Sequence, residues 1–202
     1  MRLIDISKEL LSCDCYPGDP RPRLNSISKI AEGDECNLSE LYCCLHNGTH
    51  LDAPLHFLEN GVAADKISLD KCIGTAKVVE VCAKLNREKA LAIIKDNPQR
   101  LLIKGNAEIS LDAATLFADS IKLLGVEGLT VGNQNEIGDV HKVLLKKGVV
   151  ILENLDLTQA EQGEYFLFAP PIKIANACGA PVRAVLIQNE IRGNHCPRRE
   201  KC

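Results

Sequence analysis

Residues 45–57, Leu-His-Asn-Gly-Thr-His-Leu-Asp-Ala-Pro-Leu-His-Phe, constrain this chain more than any other stretch. Three of its five histidines fall there, His46, His50 and His56, with Asp52 among them. Gly48 and Pro54 oppose a helix, glycine through backbone entropy and proline through its missing N–H and its clash with the preceding turn. The segment therefore reads as extended chain with turns. All four polar residues stand at even positions, so on an uninterrupted strand their side chains would leave by one face. Full extension would still part the backbones of His46 and His50 by roughly 13 Å, too far for two imidazoles to share one ion. Asn47-Gly48 supplies a tight reversal that can bring His46 back toward His50, with Asp52 pointing the same way. Two neutral imidazoles and a carboxylate suit zinc, manganese or iron(II). Pro54 sets His56 beyond the ligands.

A second contribution is expected downstream. His141 falls on a helical stretch with Val140, Leu144 and Leu145, and Glu153 follows four apolar residues, Val149 to Leu152. A carboxylate at the end of a buried strand must find a cation, a proton or hydrogen bonds, so Glu153 is a candidate ligand beside His141.

A chain of 202 residues is long enough for one domain with a real core, and its 46% hydrophobic and 25% charged content is ordinary globular usage. A net charge of -3 and 3% aromatic residues give neither a basic footprint nor the rings that nucleic-acid binding needs. Charge interrupts the first nine residues before any apolar run reaches signal-peptide length, and no later run approaches a membrane span, so a cytoplasmic protein without a membrane partner is expected. In that reducing setting the ten cysteines should stay as free thiols, most of them small buried hydrophobes, with Cys196 and Cys202 in an exposed tail. No CxxC pair offers a structural zinc site.

The pattern predicts strands at 2–7, 25–30 and 38–45, a loop at Tyr16-Pro17-Gly18-Asp19-Pro20, and then alternating strands and helices. Strands are expected at 75–82, 100–104, 128–131 and 149–153. Helices are expected at 87–95, from an N-cap at Ser110 to about Leu124, and at 136–147. Thr158 to Glu161 has capping-box form, and further strands are expected at 165–168, 172–175 and 182–188. The whole reads as one mixed α/β unit over residues 1–192 with a basic tail at 193–202.

These residues resemble the metal-dependent cyclase-like family that includes bacterial kynurenine formamidase. The resemblance rests on Asp5-Ile6-Ser7, Tyr16-Pro17-Gly18-Asp19, the string His46-x-Gly48-Thr49-His50-x-Asp52-x-Pro54-x-His56-Phe57, the spacing of His141 and Glu153, and Ala180-Pro181-Val182-Arg183-Ala184-Val185. It implies a swivelling β/β/α domain with a mixed sheet, assembled as a homodimer or higher oligomer. It matches His46, His50 and Asp52 to first-metal ligands, with Asp52 bridging and His141 and Glu153 completing a second site. The metal would be zinc, one or two ions per subunit, or manganese. His56 matches the catalytic histidine, and Tyr16 stands where kynurenine formamidases typically carry a tryptophan against the aromatic substrate. This chain has no tryptophan.

The expected chemistry is hydrolysis of an amide or formamide: the ion acidifies a water and polarises a carbonyl, while His56 moves protons to the leaving nitrogen. Three rivals stand beside it. One is hydrolysis of another small cyclic amide or acyl substrate, which Tyr16 favours. Another is a non-catalytic metal-binding protein, against which a free His56 argues. The third is a cysteine nucleophile, for which only Cys43 and Cys44 lie near the histidines in sequence.

Overall fold

A computed structural model describes residues 1–133 and 135–188; the tail at 193–202, with Cys196 and Cys202, lies outside the described residues. The first half contains β1 (Arg2–Asp5), β2 (Arg23–Ser28), β3 (Leu38–Tyr42), β4 (His50–Asp52), α1 (Leu69–Cys72), β5 (Ile73–Glu80), β6 (Lys84–Leu85) and α2 (Arg87–Ile94). The second half contains β7 (Arg100–Lys104), β8 (Glu108–Ile109), α3 (Leu111–Ala118), β9 (Leu123–Val126), α4 (Ile137–Lys146), β10 (Val150–Glu153), β11 (Gly163–Phe168), β12 (Gly179–Pro181) and β13 (Val185–Gln188).

Nine strands form one mixed sheet in the order β1-β13-β11-β5-β7-β9-β10-β4-β12. Its centre, β5-β7-β9-β10, is parallel, and its flanks are antiparallel. The centre follows from sequence: β7, β9 and β10 are almost unbroken apolar runs, as strands covered on both faces must be. One face packs Leu51, Leu102, Leu123, Val150, Leu152, Leu167 and Leu186 into a core. The other carries α2, α3 and α4, whose Ile93, Phe117 and Leu144 meet Leu101, Ile103, Leu124 and Ile151. Asn86 and Ser110 cap α2 and α3, each accepting a backbone N–H three residues on, as the N-cap rule requires. The result is the expected single α/β domain with a mixed sheet. Among the described residues no helix is long and apolar enough to cross a membrane.

Several expected elements differ. The helix capped by Ser110 stops at Ala118 rather than near Leu124, and residues 123–126 form the central strand β9. The segment 128–131 is loop. Periodicity could not separate a buried helix end from a buried strand, because Leu116, Phe117, Ile121 and Leu124 suit both. Residues 172–175 form no strand, and residues 158–161, despite their capping-box form, lie in a turn and loop. The β2–β3 hairpin stands apart from the main sheet with Leu24, Ile27, Leu38 and Leu41 half exposed. Of the eight described cysteines all are free, as expected, but only Cys72 is buried, against the expectation that most would be.

Candidate metal centre

The residues of the histidine cluster reach one place by three different routes. His50 and Asp52 lie on β4 and share a face, while Leu51 between them points into the core. Strand β10 pairs antiparallel with β4 so that Glu153 stands opposite His50. His141 arrives from α4, which leads directly into β10. His46 sits in a turn closed by Asn47, whose N–H donates to the Cys44 carbonyl at 3.1 Å and whose side-chain oxygen accepts the Cys44 N–H at 2.9 Å. Gly48 follows with φ +62°, a left-handed conformation that glycine adopts without strain. The reversal thus exists but begins at Cys44, three residues ahead of the expected Asn47-Gly48. The common face of even positions holds only for His50 and Asp52. His56 instead comes from a 3-10 turn, Pro54–His56, that stacks its ring on His46 at 3.9 Å.

These side chains form two groups of three that share Asp52: His46, His50 and Asp52, and Asp52, His141 and Glu153, with donor atoms in each within 4.8 Å of one another. His46 Nδ1 lies 2.7 Å from Asp52 Oδ1. His50 Nε2 lies 3.4 Å from Asp52 and 3.5 Å from Glu153, and His141 Nε2 lies 3.5 Å from Asp52 and 3.2 Å from Glu153. Two main-chain carbonyls fix the tautomers. His50 Nδ1 donates to Gly48 O at 2.9 Å and His141 Nδ1 to Ile137 O at 2.8 Å, because a carbonyl can only accept. In the neutral rings each Nε2 therefore turns a lone pair toward carboxylate lone pairs. That contact is repulsive unless positive charge sits between them.

Electrostatics agree with the geometry. Asp52 and Glu153 are buried, and among the described residues their only ion-pair partners are histidines. Burial opposes protonation of His50 and His141, but the two carboxylates outweigh it and hold both pushed up to about 10. Burial works against the charged form of Asp52 too, and the imidazoles of His141, His46 and His50 gathered around it win, keeping it well below the usual carboxylate range. His50 Nε2 and Asp52 Oδ2 are nevertheless buried with no hydrogen-bond partner. Unmatched nitrogen and oxygen donors converging in a dry pocket fit a divalent cation, which would replace two protons charge for charge. His56 behaves differently: burial lowers its pKa, and the neighbouring His46 and His141 add to the fall against the pull of Asp52 and Glu153.

The cluster opens on a cavity of about 260 Å³ bordered by His56, Tyr16, Asp19, Phe57, Leu129 and Ile137. Phe57 stacks on His141 at 4.3 Å and meets His56 edge-on at 4.6 Å. All seven residues expected from sequence, Tyr16, His46, His50, Asp52, His56, His141 and Glu153, are thus brought to one site. Sequence reasoning missed Cys178, whose Sγ lies 3.2 Å from His46 Nε2, and Gly179, where a Cβ would lie 2.6 Å from His46 Cε1. Only contact between β12 and β4 brings them there, and nothing local in the chain signals it. It missed Asp19 as well, although the loop that carries it was marked.

A buried carboxylate shared by two donor groups, with a further imidazole at the mouth of a cavity, is an arrangement that suits a metal-dependent hydrolase. Residues 4–117 match the model of a family described as "Putative cyclase". The chain is 34% identical to a kynurenine formamidase of Salinibacter ruber over 92% of its length and 97% of that protein, and 31% identical to one of Bacillus cereus over 91% and 96%. Among solved structures it is similar to a potential metal-dependent hydrolase with cyclase activity, with a TM-score of 0.74 and 26% identity over 92% of this chain and 96% of that one. Isatin hydrolase A of Labrenzia aggregata shares the fold, with a TM-score of 0.81 at 19% identity over 93% and 94%. The chain belongs to this cyclase family, and it is a hydrolase.

Proposed function

We propose that this protein is a kynurenine formamidase, cleaving the C–N bond of N-formylkynurenine to give kynurenine and formate. One observation carries the reading: two three-donor groups sharing the buried Asp52, with unmatched His50 Nε2 and Asp52 Oδ2, open on a cavity that also holds His56. His46, His50, Asp52, His141 and Glu153 would hold zinc or manganese, one or two ions per subunit. Bound there, such an ion acidifies a water and polarises the formyl carbonyl.

The chain's own residues do the rest. A ring nitrogen of His56 takes a proton from the attacking water and returns it to the leaving aryl nitrogen as the C–N bond breaks. Its lowered pKa keeps the ring neutral, ready to accept, near pH 7. Stacking on His46 holds its plane. The carbonyls of Gly48 and Ile137 aim the Nε2 atoms of His50 and His141, and the Val131 N–H holds Glu153 Oε1 at 2.8 Å. Phe57, Leu129 and Ile137 give an aryl ring an apolar wall. A second reading, opening of a cyclic amide, draws on Tyr16, which borders the cavity where a larger indole would fill more of it.

Elemental analysis of the purified protein, with N-formylkynurenine assayed beside a panel of cyclic amides, tests these readings. Kynurenine release by metal-loaded protein is expected. Turnover of cyclic amides alone would favour the second reading, and bound metal without any turnover would make this a binding protein. The reading extends to a cytoplasmic homo-oligomer, dimer or tetramer, that acts on a small molecule and has no nucleic-acid or membrane partner. Light scattering on the eluting protein measures the assembly.

A further inference from the structure

The loop at Tyr16-Pro17-Gly18-Asp19 is a tight turn: the Asp19 N–H donates to the Tyr16 carbonyl at 3.0 Å, and Gly18 takes φ +98° at the third position. The first and last residues of such a turn lie side by side, which is why Tyr16 and Asp19 both border the cavity over the cluster. Asp19 is half-buried, and among the described residues no lysine or arginine pairs with it. Among the described residues its side chain accepts only a thiol contact, from Cys44 Sγ at 3.9 Å. Among the described residues the cavity wall contains no lysine or arginine. Among the described residues a bound molecule therefore meets one carboxylate that lacks a strong partner and belongs to neither donor group, and it meets no cationic side chain outside the imidazoles.

We infer that Asp19 is the specificity-determining residue of this site and pairs with an ammonium group on the substrate. The inference rests on the formamidase reading and narrows it. The preferred substrates are aryl formamides whose side chain carries an ammonium. Among the described residues a substrate carboxylate has no cationic side chain to meet in the wall, so it stays in solvent and removing it costs little. Because the ammonium is remote from the reacting carbonyl, its contact acts equally on bound substrate and transition state and appears in KM.

Three substrates separate the possibilities: N-formylkynurenine, its decarboxylated analogue that keeps the ammonium, and its deaminated analogue that keeps the carboxylate. Metal-loaded wild-type protein should show kcat/KM at least about 10-fold higher for the first two than for the third, the value of a hydrogen-bonded charge pair. In Asp19→Asn that ratio should collapse toward one through KM, and in Asp19→Glu it should largely survive. A ratio taken within one variant does not depend on how much of that variant folds. An unchanged ratio in Asp19→Asn would overturn the inference. Should wild-type protein cleave no formamide, the functional reading fails by itself. Calorimetric binding of the matching aryl amines, with and without the ammonium, then decides: selective binding lost in Asp19→Asn upholds the role of Asp19, and equal binding of the two ligands by wild type overturns it.

Discussion

Asp52 answers to three imidazoles at once, at distances from 2.7 to 3.5 Å, and has no other ion-pair partner among the described residues. Its removal and that of His56 should therefore have different consequences. Asp52→Ala is expected to lose both metal and turnover, because it belongs to both donor groups. His56→Ala should keep its metal, measured by elemental analysis, and lose about 10²- to 10⁴-fold in kcat. Equal metal loss in the two variants would refute this division. Stability should also depend on pH. His50 and His141, ordinarily near 6.5, are held at about 10 in the cation-free protein, so their protonation stabilises the fold fully below 6.5 and this contribution is lost as pH rises through 10. Thermal melts in chelator should accordingly weaken across that window, while melts with the cation bound, which has displaced those protons, should stay flat. On the acid side the lowered pKa of Asp52 gives the opposite sign, stability present above 3.8 and lost as pH falls below it.

At the scale of elements, β4 is only three residues long yet is gripped by β10 on one side and β12 on the other. That double pairing fixes the positions of His50 and Asp52. Gly179 on β12 permits it, since a Cβ there would meet His46 Cε1 at 2.6 Å and the Leu51 carbonyl at 2.8 Å. Gly179→Ala should destabilise the protein by about 1–3 kcal/mol in denaturant titrations and weaken metal binding. Leu51→Ala removes a fully buried side chain from the core beneath the cluster and should cost about 2–5 kcal/mol. Three of the four parallel strands, β5, β7 and β10, and the helices were readable in sequence because continuous apolar runs alternate with capped amphipathic segments. The boundary between α3 and β9 was not readable: both are buried, and the helix stops at Ala118, with Asp119 as its C-cap, rather than where apolar spacing ends.

For the whole molecule the cation should serve as a fastener, since its donors come from β4, β10, α4 and the turn at His46. Stripping it should lower the melting temperature, and restoring zinc at 100-fold over its dissociation constant should return about 2.7 kcal/mol. The sequence by itself determined which residue types could meet a metal, that glycine and proline would break any helix through them, and that one mixed α/β domain would carry them. These are local matters of backbone freedom and side-chain chemistry. Only the tertiary structure decided that Glu153 stands opposite His50, that His46 returns through a turn begun at Cys44, and that Cys178, Gly179 and Asp19 share the site. Strand register and the meeting of β12 with β4 are long-range pairings, set by how the whole core packs, and no short stretch of chain encodes them.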